Sequence, residues 1–200
     1  EQKTWESDVV FVGAWMPERG PFITRLLDLG VPVTIWGNSW HKAREWPRLK
    51  CHWRGPAVYG EDYLKAIQCS KIALGLLSKG NRDLHTQRSA EIPFFGGTVF
   101  CAERTKEHLF LFKDGEEAVF WDDARECAAL CGELLSDALR RRRMAAAAHR
   151  RIVAHRLSND EVLASVILQS NFDLGWKSTP EVLNQSKSAV AQWRLQSQRV

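Results

Sequence analysis

Apolar residues fall along this chain in two kinds of run, and their spacing predicts strands alternating with helices. Asp8-Val-Val-Phe-Val-Gly13 is short, β-branched and closed by glycine, the pattern of a strand buried on both faces. Phe22, Ile23, Leu26, Leu27 and Leu29 recur at helical spacing up to Gly30. Val31-Pro-Val-Thr-Ile-Trp36 gives a second strand, stopped by Gly37-Asn38. The unit has the size of a βαβ crossover, about 30 residues. Residues 39–56 are rich in Trp, Arg and Lys without a period and are expected to form a long surface loop. A short helix over 61–69 and a buried strand over 71–77 follow. The polar stretch 78–87 feeds a helix from Arg88, and 98–101 and 118–121 are two further strands. Three helices are expected from Asp122 to about Gln169, with breaks near Ser136-Asp137 and Ser158-Asn159-Asp160. A linker over 171–180 and a weakly amphipathic helix over 181–199 close the chain.

This order predicts an α/β fold: a doubly wound, mostly parallel Rossmann-like sheet with helices on both faces and a helical C-terminal end. Residues 1–170 would form that domain, and 171–200 a C-terminal linker and helix.

Composition narrows the class. With 200 residues, 44% of them apolar and 26% charged, the chain is an ordinary folded domain and not a disordered, collagen-like or disulfide-scaffold sequence. No apolar run approaches the roughly 20 residues of a membrane span, and the first residues lack the layout of a signal peptide. The five cysteines (Cys51, Cys69, Cys101, Cys127, Cys131) are odd in number, spread out and without a CxxC pair. That usage points to reduced thiols and a cytoplasmic location. The net charge of +4 is local: seven arginines and one acid over 137–156 give +6 there and leave −2 for the rest. A body built to coat nucleic acid would be basic throughout, so nucleic acid is a disfavoured partner.

In an open parallel sheet, ligands bind outside the carboxyl ends of the strands, which selects the loops 13–20, 37 onward, 55–60 and 78–91. The last is the richest: Ser78-Lys-Gly-Asn-Arg-Asp-Leu-His-Thr-Gln-Arg-Ser-Ala-Glu91. It ends in a helix start, with Thr86 the expected cap, whose free N–H groups and partial positive charge suit a phosphate. Arg88 can add a bidentate contact to phosphate oxygens, and Glu91, one turn on, can accept from a diol such as a ribose. An Arg88–Glu91 ion pair on a solvated helix explains the same spacing equally well. Gly13 either admits a ligand to the backbone or serves a tight turn; 13–20 is not a GxGxxG fingerprint. No nucleophile elbow, Walker A loop, HExxH or zinc pattern is present. Cys127 and Cys131, four apart, fit a helix core face, and His149 and His155 on the basic helix are expected to be exposed. His85 is the one loop histidine given a functional expectation. Arg140–Arg143 fit a solvated helix face, with a nucleic-acid or lipid contact as the lesser reading.

Arg88-Ser-Ala-Glu-Ile-Pro-Phe-Phe-Gly-Gly97, followed by Phe112-Lys-Asp-Gly-Glu-Glu-Ala-Val-Phe-Trp121, resembles the C-terminal half of CgeB-like (spore-maturation-type) glycosyltransferases. Phe11-Val-Gly13 with Arg19, Trp36-Gly-Asn-Ser-Trp40, Tyr59-Gly60 through Tyr63, Ser70-Lys71-Ile72 and His155-Arg156 are similar to that family's elements in the same order. The likeness covers about residues 8–168.

The resemblance implies the nucleotide-sugar-binding half of a GT-B glycosyltransferase. Its E-x7-E pair is represented here by Asp83 and Glu91, with Asp in the first place. Glu91 would hold the ribose hydroxyls, and Thr86, Gln87 and Arg88 at the helix start the diphosphate. Asp83 or His85 would touch the transferred sugar as the catalytic candidates. Gly13 and Arg19 would form the opposite wall, and Val58 and Tyr59 would flank the base. The resemblance implies no metal and no cofactor. The substrate would be a UDP- or GDP-sugar, a nucleotide-diphosphate donor. A GT-B enzyme has two such halves, and this length suffices for one. The acceptor half would therefore be a missing N-terminal domain or a partner chain, and these 200 residues alone would not turn over. Two competing readings are a non-catalytic interaction module of the same fold, docking through Arg140–Arg143, and a nucleic-acid binder using the basic helix with the Trp-rich stretch 36–53.

Overall fold

The computed structural model describes residues 5–154, where strands and helices alternate as the apolar runs require. The strands are β1 (Ser7–Val12), β2 (Val33–Trp36), β3 (Trp53–Gly55), β4 (Ser70–Gly75), β5 (Val99–Glu103) and β6 (Val119–Trp121). The helices are α1 (Arg19–Asp28), α2 (Trp46–Leu49), α3 (Gly60–Gln68), α4 (Arg88–Phe95), α5 (Lys106–Leu111), α6 (Ala124–Ser136) and α7 (Ala138–Ala154). All pairings between strands are parallel, and the sheet runs β3-β2-β1-β4-β5-β6. The order reverses between β1 and β4, so their crossovers leave in opposite directions and open a crevice at their carboxyl ends.

Burial on both faces explains the near-continuous apolar strands. In β5, Val99 and Cys101 join the core layer that holds Ile23 and Leu26 of α1 and Leu134 of α6. Phe100 faces the other way, among His108, Phe112 and Phe120, with ring centroids 5.5, 6.1 and 6.4 Å away. Each such fully buried side chain contributes about 1.5–3 kcal/mol by leaving water. The joint between β1 and β2 needs glycine: a Cβ on Gly37, at φ +152°, would stand 1.9 Å from the Gly13 carbonyl oxygen.

The stretch 39–56 is not a surface loop. It folds into a 3-10 turn (Trp40–Lys42), α2 and β3, with Trp40 only 1% exposed. Its tryptophans supply polar ends to backbone carbonyls at the strand ends. Trp40 Nε1 donates to Gly13 O at 2.9 Å and Trp53 Nε1 to Gly37 O at 2.9 Å. Elements of three or four residues are too short to show a period, which is why the pattern looked irregular. The helix α5 also lies in a stretch where no element was expected.

The joint expected near Ser136-Asp137 is present, and the basic run does more than coat a face. Arg140 pairs with Glu133 at 2.9 Å, and Arg141 donates to the carbonyls of Leu134 and, at 2.8 Å, Leu135. His149 is half-buried rather than exposed; its Nδ1 lies 2.7 Å from Phe94 O and ties α7 to the end of α4. Trp5 stacks on Trp36 at 5.0 Å. The third late helix, His155, the linker, the last helix and the boundary at 170 lie outside the described residues.

Candidate functional site

The carboxyl ends of β1 and β4 bring together two of the four loops singled out from sequence, 13–20 and 78–91. Arg19, at the start of α1, joins them. Its guanidinium donates to Ala14 O at 2.8 Å and to Leu76 O at 3.0 Å, and lies 5.3 Å from the centre of the Phe11 ring. Its Nε is buried without a hydrogen-bond partner among the described residues. Burial lowers its pKa and the Arg88 charge lowers it further, while Glu18, Glu103 and Asp83 oppose this.

Among the described residues, Arg88 opens α4 with its own Nε buried and without a partner, and no side chain caps that helix start. Thr86 is not the side-chain cap expected of it, because the backbone bends into the helix one residue later, at Gln87 (φ −52°, ψ −35°). The Thr86 amide instead donates to Ser89 Oγ at 3.1 Å and its carbonyl accepts from Ser89 N at 2.9 Å. The Ser89, Ala90 and Glu91 amides turn back onto the carbonyls of Thr86 and Gln87, so the unmet donors of this edge are the two guanidinium Nε groups.

Glu91, half-buried one turn into α4, forms no ion pair with Arg88 among the described residues. One of its carboxylate oxygens accepts from the Tyr63 hydroxyl at 3.1 Å. Burial raises the Tyr63 pKa, and the Glu91 charge and hydrogen bond raise it further, so the phenol stays a donor. Tyr63 sits on α3, and only the packing of α3 on α4 places it at the site.

The other residues named from sequence scatter around this edge. Gly13 donates its N–H to Trp36 O at 2.8 Å, and a Cβ there would lie 2.7 Å from Phe11 Cζ, so it serves close packing. Val58 and Tyr59 precede α3, with Tyr59 76% exposed; Asn38 Oδ1 holds their loop by accepting from Ala57 N at 3.0 Å. Asp83 folds the 78–83 turn, accepting from Ser78 N at 3.4 Å and donating its own N–H to Ser78 O at 3.2 Å. His85 is exposed and bonded through Nδ1 to Glu107 of α5.

Two residues missed from sequence shape the site. Glu103, ending β5, accepts from Leu77 N at 2.8 Å and pairs with Lys79, fixing the exit of β4. It also lines a cavity of about 270 Å³ with Arg19, Leu76, Lys79, Trp121 and Asp122. His108 is fully buried between Ser89 Oγ, 2.8 Å from Nε2, and Glu103 O, 2.7 Å from Nδ1. Burial lowers its pKa and keeps the ring neutral. The same rule of strand ends that selected the loops would have found Glu103; nothing local marks His108.

Comparison with known proteins follows this geometry. A family model described as "Glycosyl transferase-like" matches residues 19–163. A search of curated proteins finds no match. Among solved structures, sucrose-phosphate synthase from Thermosynechococcus elongatus is similar with a TM-score of 0.65 at 16% identity, over 88% of this chain and 47% of that one. Anabaena HepE in complex with UDP-glucose gives 0.59 at 14%, over 82% and 50%. The C-terminal domain of the group 1 glycosyl transferase LpcC from Francisella tularensis gives 0.54 at 10%, over 76% and 91%. The chain thus spans about half the length of the first two, and nearly all of a lone C-terminal domain. At these identities the likeness establishes the fold, a Rossmann-like sheet of the GT-B kind.

Proposed function

The chain belongs to the Glycosyl transferase-like family, and from that premise we propose that it is the donor-binding half of a GT-B glycosyltransferase of the CgeB-like type. Residues 1–170 would hold a nucleotide-diphosphate sugar at the carboxyl edge of β1 and β4. The observation that carries this reading is the pair Arg19 and Arg88, each with a buried Nε that has no hydrogen-bond partner among the described residues. A diphosphate meets both demands at once, supplying acceptors and negative charge. The UDP-glucose complex of the similar HepE supports the same ligand class.

Glu91 would accept from the ribose hydroxyls, and its bond from Tyr63 fixes the carboxylate for that task. Gln87 would add a backbone contact to the diphosphate, and Thr86, whose amide is held by Ser89 Oγ, would add its hydroxyl. Tyr59, exposed ahead of α3, would stack on the base beside Val58, and Gly13 would close the far wall. Of the two catalytic candidates Asp83 is preferred for the transferred sugar, because Glu107 engages the ring of His85. Arg19, Arg88 and the N-terminus of α4 supply the positive charge a leaving diphosphate requires, so the transfer is proposed to need no metal ion or cofactor. A second half, on a longer chain or a partner, would bring the acceptor and complete turnover. Five free thiols fit a reducing cytoplasm.

The test is calorimetric titration of the protein with UDP and GDP. One of the two should bind, and Arg88→Ala should weaken that binding about tenfold or more, the loss of a charge-assisted hydrogen bond. Unchanged affinity in Arg88→Ala would overturn the assignment.

A further inference from the structure

Cys101 lies in the middle of β5, while Cys127 and Cys131 stand one turn apart on α6. All three side chains are fully buried, and their Sγ atoms lie within 4.8 Å of one another. Leu74, Val99, Val119, Leu134 and Met144 belong to the same core layer, so the cluster sits in a dry, apolar setting beneath the strand ends. Packing explains one buried cysteine well, and two on a helix face. It gives no reason for a third, from another element, to meet them sulfur to sulfur.

We propose that Cys101, Cys127 and Cys131 form a three-sulfur binding site for a soft monovalent metal ion, Cu(I), apart from the donor cleft and joining β5 to α6. Three sulfurs bound to one ion at about 2.3 Å stand about 4 Å apart, so small side-chain rotations close the cluster around it. Thiolate sulfur selects soft ions, Cu(I) and zinc foremost. Structural zinc takes four ligands in a tetrahedron, and among the described residues no fourth His, Cys, Asp or Glu joins the three. Three-coordination is ordinary for Cu(I).

The thiolate, not the neutral thiol, ligates a metal, so binding releases the thiol protons of Cys101, Cys127 and Cys131 to solvent. Copper enters and stays as Cu(I), so no electron is transferred. The bound ion would brace β5 two residues before Glu103, which holds the β4 exit through Leu77 N.

The experiment is anaerobic titration of the full, reduced chain with Cu(I) delivered from a chromogenic chelator, and with Zn(II) in parallel. Expected are one Cu(I) per chain, an ultraviolet thiolate-to-copper band, a thermal midpoint raised by several degrees and an X-ray absorption shell of three sulfurs. Cys131→Ala should abolish retention of the ion, and Cys51→Ala, at the exposed cysteine, should leave it intact. Circular dichroism checks the fold of each variant, and the absorption shell of the unaltered protein decides the matter if Cys131→Ala does not fold. Failure to hold Cu(I) against the chelator, nitrogen or oxygen in the shell, or retention by folded Cys131→Ala would overturn the proposal. Preferential uptake of Zn(II) would overturn the monovalent assignment. Nucleotide binding by the cleft is measured separately and does not depend on these outcomes.

Discussion

Ser89 Oγ and His108 Nε2 stand 2.8 Å apart beneath the start of α4, and both are buried. The bond fixes one tautomer: Nδ1–H donates to Glu103 O, so Nε2 accepts from the serine hydroxyl. The serine oxygen in turn accepts from Thr86 N at 3.1 Å. A single relay thus runs from the end of β5 to the backbone that opens the candidate donor site. Ser89→Ala would leave Thr86 N–H and His108 Nε2 unpaired in the interior. The expected loss of stability is about 1–3 kcal/mol, read as a lower urea midpoint at unchanged slope.

The same histidine makes stability depend on pH. Burial, the largest influence, disfavours the imidazolium and lowers the folded pKa beneath the ordinary value of 6.5. Below about pH 6.5 the unfolded chain then binds a proton the folded one refuses. The contribution is therefore fully present above 6.5 and is lost as pH falls towards the depressed folded value. Thermal midpoints should drop as pH falls below about 6.5, and less so in His108→Gln. Asp123, lowered by accepting from Glu126 N and Arg125 N, loses its contribution only below its ordinary 3.8, a separate window.

Gly37 and Gly30 both have positive φ, yet different costs are expected of them. Gly37→Ala would drive a Cβ into the Gly13 carbonyl, at 1.9 Å, and should cost about 3 kcal/mol or more, since backbone must move. Gly30→Ala, at φ +83° with nothing within 4 Å, should cost only the left-handed strain, about 1–2 kcal/mol. Chemical denaturation of the two variants side by side checks the contrast.

Much of this arrangement was legible in the sequence because strands buried on both faces announce themselves as apolar runs. Once β1 and β4 were placed, the rule of strand ends selected 13–20 and 78–91 without reference to any contact. Arg88 and Glu91 followed from helix spacing alone, although the partner of Glu91 did not. Tyr63 reaches it from another helix, and no local pattern carries that information. Trp40 and Trp53 were misjudged for a related reason: their burial comes from indole N–H groups meeting carbonyls of Gly13 and Gly37, far away in sequence. The Cys101–Cys127–Cys131 cluster joins a strand to a helix, so its spacing resembles no metal motif.

A thermal-shift screen of UDP, GDP, ADP, dTDP and CMP, with and without magnesium, tests the donor-site assignment most directly. A nucleotide at about 100 times its dissociation constant stabilises the fold by about 2.7 kcal/mol, about 5 °C or more for a domain of this size. The expected result is such a shift for one nucleoside diphosphate, independent of magnesium and abolished by Glu91→Ala. A flat screen, or an equal shift in Glu91→Ala, would contradict a donor site built on Arg19, Arg88 and Glu91.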